Sequence, residues 1–167
     1  LALGVFFNTS VHAGNLGDVA MLAAFFKTHA DGVDFASFQL QAETGRGVQG
    51  ERSDGISNES IAALLSRGAG TALTFNALLA GHAQCNRSAV MLVAHGRTHD
   101  AFADAAFVAR FMRETAGLVI ERGTTARGVF SLVRATLARP RLAAAALRWI
   151  AALAWRARAD LLAAPLD

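Results

Sequence analysis

The amino-acid sequence predicts an α/β fold with a parallel strand pair near its N-terminal end and helices at its C-terminal end, and three observations carry that expectation. Residues 1–40 read as strand, helix, strand, the crossover unit that two parallel strands require. Both of those strands turn polar at their carboxyl ends, as strands of α/β sheets and barrels do where they meet ligands. From Ala101 onward the apolar residues recur at helical spacing. With 167 residues, 53% of them hydrophobic, the chain has enough apolar material for one domain with a proper core.

Taken in order, Leu3 to Val11 (LGVFFNTSV) is rich in β-formers, with Asn8, Thr9 and Ser10 gathered at its far end, and reads as a buried parallel strand. His12 to Asn15 forms a turn. Leu16 to His29 places Val19, Leu22, Ala23 and Phe26 on one face, with Asn15 as N-cap and Asp18 in the first turn, where the helix dipole favours a negative charge. The unit closes at Gly32, and Val33 to Leu40 is the second strand. The stretch Gly32 to Gly47 (GVDFASFQLQAETGRG) then presents Gln39, Gln41, Glu43, Thr44 and Arg46 in quick succession, which makes it the best site candidate; its alternative is an ordinary solvated exit from a strand.

Arg46 to Asn58 is rich in Gly, Ser and charge and lacks periodicity, so it reads as a loop or boundary. Ser57 caps a short helix over Glu59 to Ser66, with Ile61, Leu64 and Leu65 as its apolar stripe and Gly68 as its stop. Thr71 to Ala80 fits either a strand or a helical turn. Ala89 to Ala94 is a strand followed by a turn at Gly96. Asp100 caps a helix from Ala101 to about Thr115, in which Phe107 meets Phe111 and Val108 meets Met112 at i, i+4. From Val129 the pattern is helical again, and Pro140 splits it in two.

Composition narrows the chemistry. The formal charge is +3, and fifteen arginines stand against the single Lys27, which looks like codon bias rather than selection for binding nucleic acid; no nucleic-acid partner is expected. Cys85 is the only cysteine, so neither an internal disulfide, a CxxC zinc site nor a cluster held by four thiolates can be built from this chain alone, and a reducing, cytoplasmic setting is expected. His82 and Cys85 sit three residues apart on a glycine-started turn, half of a metal site that His95 and His99 could complete if the turn brings them back; a buried, inert cysteine is the alternative. The chain opens on Leu1 and an apolar run with no basic region or cleavage site, which reads as a truncated start rather than a signal peptide. No segment is long enough to span a bilayer. In the last helix, Leu142 to Ala164, Arg148, Arg156 and Arg158 rim a surface holding Trp149 and Trp155. Such a helix could lie on a membrane surface, while the simpler expectation is that it packs on its own domain with its arginines reaching outward.

Three segments together, FFNTSVHAGNLGDVAMLAAFF, GVDFASFQLQAETGRG and ALLAGHAQCNRSAV, resemble the C-terminal half of a radical S-adenosylmethionine protein, in the branch that includes the tetraether lipid synthases and the archaeal pterin methylases. The resemblance covers roughly residues 3–95. It implies that residues 1–48 are the last strand, helix and strand of a partial (β/α) barrel, that 49–100 are a linker and small α+β segment, and that 101–167 are C-terminal helices. It places Asn8, Ser10, Gln39 and Gln41 near S-adenosylmethionine or the substrate, and sets His82 and Cys85 where some relatives ligate an auxiliary cluster. The family's defining CxxxCxxC is absent, so the [4Fe–4S] cluster that opens the cofactor cannot be held here, and this chain alone is expected to be inactive. The first expectation is therefore a fragment of an enzyme that starts methylation or C–C bond formation on an apolar, lipid-like substrate, with the missing strands encoded upstream or supplied by a partner chain. Two alternatives are a ligand-binding module without chemistry and a peripheral membrane protein working through its Arg/Trp helix.

Overall fold

The computed structural model describes residues 5–41, 56–75, 77–78, 86–117 and 125–162. Its elements run β1 (Phe6–Val11), a 3-10 turn (Leu16–Asp18), α1 (Val19–Thr28), β2 (Phe35–Leu40), α2 (Asn58–Ala69), β3 (Met91–Ala94), β4 (Arg97–Asp100), α3 (Ala105–Thr115), α4 (Thr125–Leu137) and α5 (Pro140–Leu162). This is a mixed α/β architecture with two small sheets, and the described strands do not close into a barrel. The first sheet is the expected parallel pair, β1 beside β2, and the second is an antiparallel hairpin of β3 and β4.

The first forty residues fold as their periodicity dictates. Successive strand residues alternate between faces. Phe7, Thr9 and Val11 of β1 therefore share a face with their register partners Ala36, Phe38 and Leu40. That face packs on α1: Phe26 lies 5.0 Å from Phe7 and 6.1 Å from Phe38, ring centre to ring centre. Val11, Val19, Ile56 and Ile61 form the buried centre beneath it, with Leu16, Leu64 and Leu65 around them. The start of the pair is pinned by Asp34, whose carboxylate accepts from the Val5 main-chain N–H at 2.8 Å.

Asn15 does not cap the following helix. Its side-chain oxygen accepts from His12 N–H at 2.8 Å and its amide nitrogen donates to the Ser10 carbonyl at 2.8 Å, so it braces the turn leaving β1 instead. A 3-10 turn intervenes before α1, which begins without a side-chain cap.

Helix α2 starts with a reciprocal box: Ser60 N–H donates to Ser57 Oγ, and Ser57 N–H donates to Ser60 Oγ. Gly68 does not stop this helix. The stop is Gly70, left-handed at φ 76, while Gly68 is a crossing point at which an added Cβ would lie 2.1 Å from the Ala20 carbonyl oxygen. Glycine is required there because the two helices touch backbone to backbone. At the other end of α2, the Glu59 carboxyl is held below its ordinary value of 4.5, first by its main-chain N–H contact at the helix start, then by Ser57 and the Arg87 guanidinium.

The second sheet and the last three helices form the other half. The β3–β4 hairpin turns through His95 (φ 48) and Gly96 (φ 70), both left-handed as a tight two-residue connection needs. Asp100 is not a helix cap: its carboxylate accepts from Thr74 Oγ1 at 2.6 Å, from Thr74 N–H at 3.1 Å and from Phe102 N–H at 2.9 Å. Asp104 takes the capping role, accepting from Phe107 N–H. Phe107 and Phe111 meet at 5.8 Å as their spacing predicts, and Pro140 opens α5. Trp149 turns inward, stacking on Phe107 at 5.5 Å and donating its indole N–H to the Ala101 carbonyl at 2.8 Å. Trp155 turns outward and is 67% exposed.

Candidate functional site

The face of the parallel pair opposite α1 is where the structure brings the sequence-predicted residues together. Asn8 pairs in register with Ser37, and Ser10 with Gln39. All four lie on one face because residues directly paired in a ladder point the same way. Gln41 continues the alternation onto the same face, and its main-chain N–H donates to the Val11 carbonyl at 2.9 Å, which extends the pairing by one step. Thus Asn8, Ser10, Gln39 and Gln41 share one rim, at the carboxyl end of two neighbouring parallel strands.

Asn8, Ser10, Gln39 and Gln41 are exposed and Ser37 is half-buried. Among the described residues, the side chains of Asn8, Ser10 and Gln39 have no hydrogen-bond partner. Beneath this polar lip lies an apolar floor in which Phe6 and Phe35 meet at 6.0 Å, with Phe6 71% exposed. The loop that leaves β1 is held rigidly next to the lip by the Asn15 braces and by Gly14 N–H donating to His12 Nδ1 at 3.1 Å. Ser37 and the phenylalanine pair escaped the sequence reading, although counting by twos back from Gln39 and Ser10 reaches them.

Glu43, Thr44 and Arg46, which the sequence adds to this edge, lie outside the described residues, as do His82 and Cys85. His99, considered as a companion ligand for that pair, is engaged elsewhere: its Nε2 meets Asp160 Oδ2 at 2.9 Å, joining β4 to α5. Arg97 Nη1 reaches the other oxygen of the same carboxylate at 3.4 Å. His95 occupies the hairpin tip. Among the described residues no group of three or more His, Cys, Asp or Glu side chains is placed to hold a metal ion.

The His99–Asp160 pair was not foreseen, since its members are 61 residues apart. It lies beside a shallow depression of about 230 Å³ bordered by Thr71, Thr98, His99, Asp100 and Arg156. Asp160 is 7% exposed, and His99 and Arg97 satisfy its two oxygens. Arg156 crosses the depression to donate to the Asp100 carbonyl at 3.1 Å. His99 and Arg97 spend their hydrogen bonds on Asp160 and Arg156 donates to the Asp100 carbonyl, which locks α5 onto the hairpin, while Thr98 Oγ1 is buried without a partner. The side chains of Asn8, Ser10 and Gln39 on the β1–β2 lip, which have no partner among the described residues, are the better candidate for a ligand.

Chemically the lip supplies hydroxyls and carboxamides, each able both to donate and to accept. Such a set fits a polyhydroxylated or zwitterionic small molecule. Its described residues can bind and orient a ligand through these groups. Comparison of the chain with protein-family models, with curated proteins and with solved structures finds no match.

Proposed function

We propose that the β1–β2 lip binds S-adenosylmethionine, and that the chain is the C-terminal portion of a radical S-adenosylmethionine enzyme acting on an apolar, lipid-like substrate. The observation that carries this reading is the shared face of Asn8, Ser10, Gln39 and Gln41 on adjacent parallel strands. Hydroxyl and carboxamide groups match the ribose hydroxyls and the amino-acid end of that cofactor. In a (β/α) barrel the face turned away from the helices is the interior and ligands enter at the carboxyl ends of the strands, which is where this lip lies relative to α1. The exposed Phe6–Phe35 floor suits an interior layer that further strands would cover.

The residues fit the cofactor but not the iron–sulfur cluster. With Cys85 as its only cysteine, the chain cannot supply the thiolates such a cluster needs, and no radical step is assigned to these residues. Bound S-adenosylmethionine would serve as the source of the radical or methyl group in the complete enzyme. What this chain contributes is grip and orientation. A non-catalytic module that binds the same ligand is the second reading, favoured by the missing thiolates.

Isothermal titration of the chain with S-adenosylmethionine tests the binding claim directly. Binding that does not depend on added iron is expected. The double variant Asn8→Ala, Gln39→Ala should weaken it by about tenfold or more, since each lost hydrogen bond is worth about 1 kcal/mol. Titration without heat or saturation by a chain whose circular dichroism is native would sink the proposal. Anaerobic assembly followed by iron and sulfide assay should return values near zero for this chain; binding together with activity restored by an upstream CxxxCxxC segment separates the enzyme reading from the module reading.

A further inference from the structure

The α4–α5 hairpin carries an apolar surface that its own domain does not cover. On α4, Val129, Phe130, Val133 and Leu137 are all about half exposed or more, with Phe130 at 68%. At 3.6 residues per turn these four fall within roughly 100° of arc, apart from the half-buried Leu132, Ala135 and Thr136 on the other side. Arg127 and Arg134 fall just beside that stripe. On α5, Leu142, Trp149, Ala157 and Asp160 turn inward, while Leu147, Ile150, Trp155, Leu161 and Leu162 turn outward with Arg141 and Arg148 alongside. Arg158 lies 4.0 Å over the Trp155 ring.

We propose that this hairpin docks on an anionic lipid bilayer, with α4 and α5 lying in the plane of the surface. The charge says what covers the apolar stripes. Residues 125–162 hold seven arginines against one carboxylate, Asp160, and that one is buried and paired with His99 and Arg97. An apolar stripe flanked by arginines is the arrangement that buries hydrocarbon in the acyl boundary while guanidinium groups meet phosphate. Trp155 under Arg158 has the amphipathic character of side chains that settle at headgroup level. Among the described residues no helix is long and apolar enough to cross a membrane, so the contact is a surface one. A second copy of the chain is disfavoured as occupant, because a two-fold interface would set the arginines of one copy against those of the other. Nucleic acid would satisfy the arginines but leave the apolar stripes in water.

Co-sedimentation of the full chain with vesicles tests the proposal and is independent of the β1–β2 lip. Phosphatidylcholine vesicles containing phosphatidylglycerol should pull the chain down at low salt, and pure phosphatidylcholine should not. The triple variant Phe130→Ser, Leu137→Ser, Trp155→Ser changes only exposed positions, so native circular dichroism should persist while vesicle binding falls by more than about tenfold. Arg134→Gln and Arg148→Gln should each weaken binding by about fivefold at low salt, with the difference shrinking as salt rises. Tryptophan emission should move to shorter wavelength on anionic vesicles in the native chain and not in Trp155→Phe. Three results would overturn the proposal: no binding to anionic vesicles at low salt, binding unchanged in the triple variant, or sedimentation velocity showing a dimer that the triple variant abolishes while vesicles have no effect. Tighter binding to duplex DNA than to vesicles, unaffected by the triple variant, would transfer the surface to nucleic acid.

Discussion

The two halves of this molecule are held together by different forces. Around α1 and α2 the contacts are apolar and close: phenylalanine rings against one face of a parallel pair, and two helices crossing at Gly68 against the Ala20 backbone and the Ala23 methyl. Around α5 the ties are polar and far apart in sequence, His99 to Asp160, Trp149 to the Ala101 carbonyl, and Arg156 to the Asp100 carbonyl. The first kind of contact tolerates almost no added volume, whereas the second tolerates volume but not a lost charge or donor. Both halves leave apolar surface open. In the first, the exposed Phe6 and Phe35 lie beside a small polar lip, and in the second, apolar stripes are edged with arginine.

The two tryptophans, Trp149 and Trp155, both lie in the second half, so fluorescence reports that half alone while far-ultraviolet circular dichroism reports both. The largest effect should come from Gly68→Ala. Alanine is the better helix former by about 1 kcal/mol. Even so, the clash with Ala20 should leave a net loss of about 2–3 kcal/mol in urea unfolding followed by circular dichroism, with tryptophan emission little changed before the transition. Asp160→Asn should cost about 2 kcal/mol in the other half, seen as an earlier tryptophan transition, because one of the two oxygens that His99 and Arg97 share becomes a donor and the charge is lost. Ser57→Ala removes one side of the capping box and should cost about 1 kcal/mol, visible by circular dichroism and not by fluorescence. Identical shifts in both probes for all three variants would mean that the halves unfold as one unit and that the contrast drawn here has no thermodynamic content.

Legibility in the sequence followed the same division. The strand, helix and strand of the first half were legible as elements, and Val19, Ala23 and Phe26 are buried as their spacing requires; but β1, expected to be a buried strand, is exposed at Phe6, Phe7, Asn8 and Ser10 and buried at Val11, because among the described elements only α1 packs on the pair and covers one of its faces. The residues of the lip were singled out by the polar ends of both strands and by the family resemblance; parity along each strand, from Asn8 to Ser10 and from Gln39 to Gln41, is what sets them on one face. Gly68 was misread because glycine after an apolar stripe is usually a stop, and only the approach of α1 shows that it is a contact. Strand β4, Arg-Thr-His-Asp, carries no apolar alternation at all; it is specified by its hairpin partner β3 and by Thr74 and Asp160, which are distant in sequence. The two tryptophans were placed on one surface, yet six residues amount to roughly 240° of helical rotation, enough to send Trp149 inward and Trp155 outward.

The backbone contact at Gly68 also governs movement. Two helices that meet without an intervening side chain have no rotamers to rearrange and little freedom to slide, so residues 19–28 and 58–70 behave mechanically as one block. Any adjustment beside the lip would fall outside that block, and because Asn15 also braces the turn after β1, loosening that turn should change local motion there rather than how the block stands.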